Sequence, residues 1–349
     1  MKTPREVLAE LVRIPSPSGK EAVAIEFLRD VLAGAGMAPV VRGRNVHATR
    51  GGGGRRRLLL NSHVDTVPAT PAWTRDPFAA TVDNGQLYGL GAGDAKSAVV
   101  GLIFAFLTAE LPAGAELVFA ATCDEETGGD GLEKLISELP QADAAIVGEP
   151  TAMRVCPAQK GLVKLELTAR GRAGHASRPW EGENAIELAA RDVLALAALE
   201  LPGEDPLLGR ATLAVTMIAG GVRSNVIPPE CRLTIDGRST PAWPNDRLID
   251  AVRGATRGEL AVKSSRFHPV STPADSPIVR AALHALGATA PGAFGGVSDL
   301  FHLRGIPGIV LGPGDPTQSH QADESILLAD FDRGVDGYRR VVEAYFQEA

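Results

Sequence analysis

Three short runs that are apolar almost throughout set the strongest limit on this chain: residues 57–62 (RLLLNS), 116–122 (ELVFAAT) and 144–148 (AAIVG). A strand wet on one face alternates apolar and polar residues, so runs without alternation read as strands buried on both faces. Helical patterns lie between and around them, over 4–13, about 21–32, about 97–107 and near 132–137. Ser18, after the stop Ile14-Pro15-Ser16-Pro17, stands where the N-cap of the second helix is expected. Strands alternating with helices predict an α/β domain whose central, mostly parallel sheet is flanked by helices.

The rhythm changes at Gly161. Residues 162–170 (LVKLELTAR) alternate apolar and charged side chains, a helical pattern covers about 184–197, and alternating runs return at 212–218 and 231–235. This predicts a smaller α+β unit with an antiparallel sheet. From about Pro269 a helix near 278–286, a strand near 308–312 and a terminal helix restore the first pattern. The expected organisation is a catalytic domain over 1–160 and 269–349, interrupted by a lid or dimerisation domain at 161–268, a size within the ordinary domain range.

A chain of 349 residues with 44% hydrophobic side chains has enough apolar surface for two cores and too much for disorder. The net charge of -7 gives no electrostatic footprint for nucleic acid. The one basic run, Arg55-Arg56-Arg57 after Gly51 to Gly54, reads as a solvated turn before a strand. No segment approaches the roughly 20 apolar residues that span a bilayer, and the first 20 residues carry interspersed charges. The expectation is a cytoplasmic protein with neither nucleic acid nor membrane as partner. Cys123, Cys156 and Cys231 are widely spaced, without a C-x-x-C pair, which argues against a disulfide framework or a cysteine zinc site.

Carboxylates and imidazoles recur where the apolar strands end. In Ser62-His63-Val64-Asp65, His63 and Asp65 share one face of an extended strand end. A carboxylate beside an imidazole can fix its tautomer as a metal ligand, although the pair alone also fits a surface histidine. In Gly89-Leu90-Gly91-Ala92-Gly93-Asp94-Ala95-Lys96, Asp94 is either a ligand or the N-cap of the next helix. A phosphate loop is excluded, because Ala95 stands where its last glycine must be. Cys123-Asp124-Glu125-Glu126-Thr127-Gly128-Gly129 crowds three carboxylates that repel unless a cation compensates or water solvates them. Gly148-Glu149-Pro150-Thr151 and the late His320 complete the set. Oxygen and imidazole donors without thiolates suit Zn²⁺, Co²⁺ or Mn²⁺.

In this order the motifs His63-Val64-Asp65-Thr66-Val67-Pro68, Asp94-Ala95-Lys96, Glu125-Glu126-Thr127-Gly128, Gly148-Glu149-Pro150-Thr151 and His320 resemble the signatures of the M20 family of metallopeptidases. Ser97 departs from the glycine more usual after the Asp-x-Lys. The resemblance covers essentially the whole chain and implies two divalent ions, Zn²⁺ or Co²⁺, with Mn²⁺ also suited. Asp94 would bridge both ions. Glu126 and His320 would complete one, and His63 and Glu149 the other. It further implies that Glu125 is the general base and Asp65 the partner of His63. His175, in Gly174-His175-Ala176-Ser177, would contact the substrate carbonyl from the other subunit of a homodimer. Asn225 and Arg238 would hold the substrate carboxylate, and Gly296 belongs to a segment resembling the family's glycine-rich substrate loop. His47, His268, His284 and His302 match no motif and read as structural.

The implied reaction is hydrolysis of a small-molecule N-acyl amino acid. The segments 65–73 and 320–324 look most like those of acetylornithine and acetylcitrulline deacetylases. Rivals in the family are a carrier-protein-linked lysine or ornithine hydrolase, a succinyl-diaminopimelate desuccinylase, and a dipeptidase or carboxypeptidase. A rival of another class is a non-catalytic binding member, which would be expected to have lost a ligand or Glu125.

Overall fold

The computed structural model describes residues 2–53, 56–128, 131–303 and 305–348. Gly54 and Arg55 of the basic run and Gly129 of the third motif lie outside them. The chain forms two compact units: residues 1–157, 272–294 and 298–349 make the first, and 158–271 with 295–297 the second.

The first unit is organised by a six-stranded sheet in the order Val40–Arg42, Asn45–Gly51, Ala115–Thr122, Arg56–His63, Ala144–Gly148, Gly308–Leu311. The last four run parallel and the first two join antiparallel at one edge. The uniform apolar runs have their cause here. Leu58, Leu60, Leu117, Phe119, Ile146, Ile309 and Leu311 share one core with the surrounding helices. On the opposite face Leu59, Val118, Ala120, Val147 and Val310 are buried as well.

The helix Lys96–Thr108 is buried along its whole length to Phe106, as its lack of any polar face requires. Gly101 lets the terminal helix Leu328–Gln347 approach it: a Cβ there would lie 2.9 Å from ring carbons of the fully buried Tyr338.

Two local expectations fail. Ser18 does not cap the second helix, Ala22–Gly34, whose N-cap is Glu21; the Ser18 hydroxyl instead donates to Asp65 Oδ2 at 2.7 Å. Arg56 and Arg57 are not a solvated turn but the first residues of the strand Arg56–His63. The Arg57 guanidinium is paired with Glu116 on the neighbouring strand, and that of Arg56 stacks 4.1 Å over the Tyr345 ring.

In the second unit an antiparallel sheet runs Thr212–Gly220, Glu230–Ser239, Gly161–Arg170, Glu259–Phe267. Val163, Leu165, Leu167, Cys231, Leu233 and Ile235 line its inner face, and residues of the helices Ala185–Ala197 and Asn245–Ala255 complete that core. Asn184 caps the first of these helices by accepting from Ile186 N at 3.0 Å. The ladder Ala158–Gln159 with Val270–Ser271 joins the entry and exit of this unit.

Candidate metal centre

Three parallel strands of the first unit end abreast, with His63 opposite Thr122 and Ser62 opposite Gly148. Residues just past those ends therefore share one rim, where ligands of such sheets gather. His63 and Asp65 come from the first strand and Glu149 from the third. After the second, Asp124 takes a left-handed φ of 59° and turns the chain into the 3-10 turn Glu125–Thr127. Asp94 arrives on the glycine loop before the helix Lys96–Thr108, and His320 on the loop after Gly308–Leu311.

Asp94 stands between two donor pairs. Its Oδ1 lies 3.3 Å from His63 Nε2, which is also 3.8 Å from Glu149 Oε1. Its Oδ2 lies 3.8 Å from His320 Nε2, which is 2.9 and 3.1 Å from the two oxygens of Glu126. Asp94 Oδ1 and Glu149 Oε1 are buried and make no hydrogen bond among the described residues. Buried carboxylate oxygens are rarely left so, and one imidazole nitrogen cannot satisfy both. A divalent cation can.

Donor atoms of His63, Asp94 and Glu126 lie within 4.8 Å of one another, as do those of His63, Glu125 and Glu149. Both triads contain His63, so proximity alone does not divide the donors into two sets. The bland alternatives fail on geometry. The cap position before the helix is Ala95, with no side-chain capping bond, so Asp94 is not spent there. The Glu126 side chain is only 9% exposed and is not a solvated acid.

Asp65 ties two motifs together. Its main-chain oxygen faces His63 Nδ1 at 3.0 Å, which places the proton on Nδ1 and aims Nε2 at Asp94 and Glu149. Its buried carboxylate lies 3.4 Å from the same ring nitrogen and accepts from Glu125 N and Glu126 N, both at 3.1 Å. Burial would raise its pKa, but the His63 hydrogen bond leads the contacts that hold it below the usual range.

The electrostatics match a site that needs positive charge. Burial, then the charge of Glu149, pushes Glu125 well above the ordinary carboxylate range. Burial, with Asp94 and Glu126 adding repulsion, carries Glu149 up to about 8 even though His63 opposes the shift. Burial works against a charged His63, yet Glu149 and the other carboxylates raise it well above its usual value. The hydrogen bond to Glu126 lifts His320 to about 9. A second acidic group, Glu21 with Cys123 and Asp124, makes no such demand, because the Arg44 guanidinium already pairs with both carboxylates.

The sequence profile of Peptidase family M20/M25/M40 matches residues 59–344, from the central strands through the second unit to beyond His320. The chain belongs to peptidase family M20. It is 33% identical to an acetylornithine deacetylase of Myxococcus xanthus, with 94% of each chain covered. It is 31% identical to a succinyl-diaminopimelate desuccinylase of Cereibacter sphaeroides, over 98% of this chain and 99% of that one. An M20 family metallo-carboxypeptidase of Sulfolobus solfataricus superposes with a TM-score of 0.83 at 18% identity, covering 99% of this chain and 100% of the other. A dinuclear metal binding peptidase of the family from Bacillus subtilis does so at 0.72 and 16%, covering 99% and 98%. As an M20 member the protein is a metal-dependent hydrolase of the deacetylase and peptidase type.

The remaining residues singled out in this M20 chain lie in the second unit. His175 pairs with Val226, and Ala176 N donates to Asn225 O at 3.0 Å, so His175 and Asn225 share one short ladder. Ser177 N donates to His175 Nδ1 at 3.1 Å, which leaves the ring proton on Nε2. Arg238 is on the strand Glu230–Ser239, where Asp236 engages its Nε at 2.7 Å. Gly296 falls in the segment 295–297, which groups with this unit.

Sequence reasoning missed a supporting layer in the first unit. Ser319 stands beside the Asp94 carboxylate and is among the groups that, against burial, hold its pKa below the usual range after His63. Thr122 Oγ1 donates to the buried Asp299 at 2.9 Å, and burial pushes Asp299 up to about 6. The glycine-rich motif ending at Asp299 was the available signal for that residue.

Proposed function

We propose that this M20 chain is a two-metal deacylase of N-acyl amino acids, acting on N-acetylornithine or N-acetylcitrulline in the cytoplasm. One observation carries the reading: the two oxygens of Asp94 face separate donor pairs. Asp94 would bridge two divalent ions, with Glu126 and His320 completing one and His63 and Glu149 the other. The oxygen and imidazole donors favour Zn²⁺ or Co²⁺, and Mn²⁺ also suits them. The Bacillus subtilis relative, a dinuclear metal binding peptidase of the family, supports the count. When bound, such ions supply Lewis acidity at a carbonyl oxygen and acidify water.

The chain's own groups do the rest. Glu125 takes a proton from the water that attacks the amide carbon and delivers one to the departing amine, as a C–O bond forms and the C–N bond breaks. Burial and the charge of Glu149 raise its pKa, the direction that makes a carboxylate a better proton acceptor. His175, contributed by the second copy of a homodimer and with its proton on Nε2, would donate to the carbonyl oxygen as charge develops there. Asp236 takes Nε and Nη2 of Arg238, so the Nη1 end of its fork would meet the substrate carboxylate, and Asn225 and Gly296 would join it there.

We also propose a homodimer. The strand Thr212–Gly220 is an edge of its sheet, and its Met217 and Ile218 are 66% and 57% exposed, as is Leu194 at 70% on the helix Ala185–Ala197. An unpaired edge beside apolar surface favours pairing with a second copy.

The Myxococcus xanthus relative supports an acetyl substrate. The Cereibacter sphaeroides relative, nearly as similar, favours a second reading in which the substrate is N-succinyl-diaminopimelate. The test is amine release by the metal-loaded protein from N-acetylornithine, N-acetylcitrulline, N-succinyl-diaminopimelate and a set of dipeptides. The highest kcat/KM on an acetyl substrate supports the first reading, and the highest on the succinyl substrate replaces it with the second. No turnover of any of them with both ions bound would reject the deacylase.

A further inference from the structure

A carboxylate outside the donor set holds the loop that delivers Asp94. Glu324 is 1% exposed, and both its oxygens are taken by main chain. Oε1 accepts from Gly93 N at 2.7 Å and from Asp94 N at 2.9 Å, and Oε2 accepts from Gly91 N at 3.0 Å. Between them Ala92 N bonds Gly89 O at 3.0 Å, so four successive N–H groups are fixed before the helix begins at Lys96.

The loop is shaped around this contact. Gly91 has a φ of +83°, and a Cβ on it would lie 2.9 Å from Thr66 Cγ2; a Cβ on Gly93 would lie 3.3 Å from Glu324 Oε1. Two glycines make a loop conformationally loose unless something outside it supplies the order. Glu324 is itself anchored, since its carbonyl accepts from Gly89 N at 2.9 Å and Ser325 continues in a ladder with Tyr88. His320, four residues earlier on the same segment, reaches Glu126, and Asp323 accepts from Thr74 N and Arg75 N at 2.9 and 3.0 Å.

We propose that Glu324 is a positioning residue for Asp94: by gathering the N–H groups of Gly91, Gly93 and Asp94 on one buried carboxylate, it holds the Asp94 side chain so that each oxygen meets its own donor pair. The proposal rests on the two-ion reading above. It requires a carboxylate. Three donors converge on Glu324, and an amide has only one acceptor oxygen, so glutamine must turn its NH₂ against at least one N–H. Groups that orient metal ligands without touching the metal are commonly worth about 10–100-fold in metal affinity.

The experiment titrates chelator-treated wild type and Glu324→Gln with Zn²⁺ by competition against a chromophoric chelator, and with Co²⁺ by its visible absorption. The expected result is a roughly 10–100-fold weaker affinity and a changed Co²⁺ spectrum, with the far-UV circular dichroism of the metal-free protein intact. Glu324→Asp keeps the charge but is one methylene shorter, and should fall between the two; it serves if the glutamine variant does not fold. Hydrogen exchange adds a readout that needs no variant: in metal-free wild type the amides of residues 91–94 should exchange slowly. Rapid exchange there overturns the proposal. So does a variant that melts earlier yet binds ions with wild-type affinity and spectrum, which is what a merely structural role gives. A wild type that takes up no ion overturns the two-ion reading and this proposal together, whereas two ions bound equally by wild type and variant overturn this proposal alone.

Discussion

Asparagine at position 65 would preserve shape while removing one acceptor and the charge. In the native protein Asp65 Oδ1 accepts from Glu125 N, and Oδ2 accepts from Glu126 N and the Ser18 hydroxyl. If the new amide nitrogen took the Oδ1 position, it would face the Glu125 N–H and His63 Nδ1, both donors. At the Oδ2 position the Ser18 hydroxyl can rotate to accept from it, and only the Glu126 N–H is stranded. That cheaper orientation costs about 1–3 kcal/mol for one buried unsatisfied donor. Exchanging a charged acceptor for a neutral one at the surviving bonds adds about 1 kcal/mol. The sum of about 2–4 kcal/mol is a large part of an ordinary total stability of about 5–15 kcal/mol. His63 should keep its tautomer, because its Nδ1 also faces the main-chain oxygen of residue 65, which the substitution retains. The damage should therefore fall on the turn that carries Glu125 and Glu126. Urea melts of chelator-treated Asp65→Asn and wild type measure the first effect, and metal affinity should weaken by about 10–100-fold. A stability loss below about 0.5 kcal/mol together with unchanged affinity would refute the reasoning.

Glu125→Ala should keep its full complement of metal, by elemental analysis, while kcat falls about 10²–10⁴-fold; near-normal turnover at full occupancy would remove Glu125 from the mechanism. Mixing inactive Glu125→Ala with inactive His175→Ala under subunit exchange tests the shared site. Random exchange makes about half the dimers mixed, each with one intact site, so activity should return to about a quarter of wild type. No recovery despite demonstrated exchange would confine His175 to its own chain.

Why some of this was legible in the sequence is a matter of distance along the chain. The buried strands announced themselves because both faces are covered, so RLLLNS and AAIVG needed no partner to be read. Glu125 and Glu126 were conspicuous because adjacent carboxylates repel. The helix Asn245–Ala255 was hidden behind Pro241-Ala242-Trp243-Pro244, which reads as a loop. The strand Glu259–Phe267 was missed because it lies at an edge and its side chains are largely exposed, so it lacks alternation. Arg56 and Arg57 misled because their partners, Tyr345 and Glu116, lie far along the chain. Glu324 falls in the segment 320–324 that the sequence singled out, but its role was not legible there, since the amides it gathers lie in the loop 91–94.

The way the chain leaves and re-enters the first unit bears on the order in which it can fold. Thr272 N donates to Pro157 O at 2.8 Å, and next to them Gln159 pairs with Val270, so more than a hundred intervening residues begin and end at one point. The strand Gly308–Leu311 must cross that excursion to pair with Ala144–Gly148. Closing a disordered loop of this length costs roughly 4 kcal/mol in chain entropy. Once the antiparallel sheet of the excursion has formed, its two ends already lie side by side and that entropy is no longer lost at the later step. Collapse of the inserted segment is thus placed to precede completion of the parallel sheet, and variants that slow the first should delay the second.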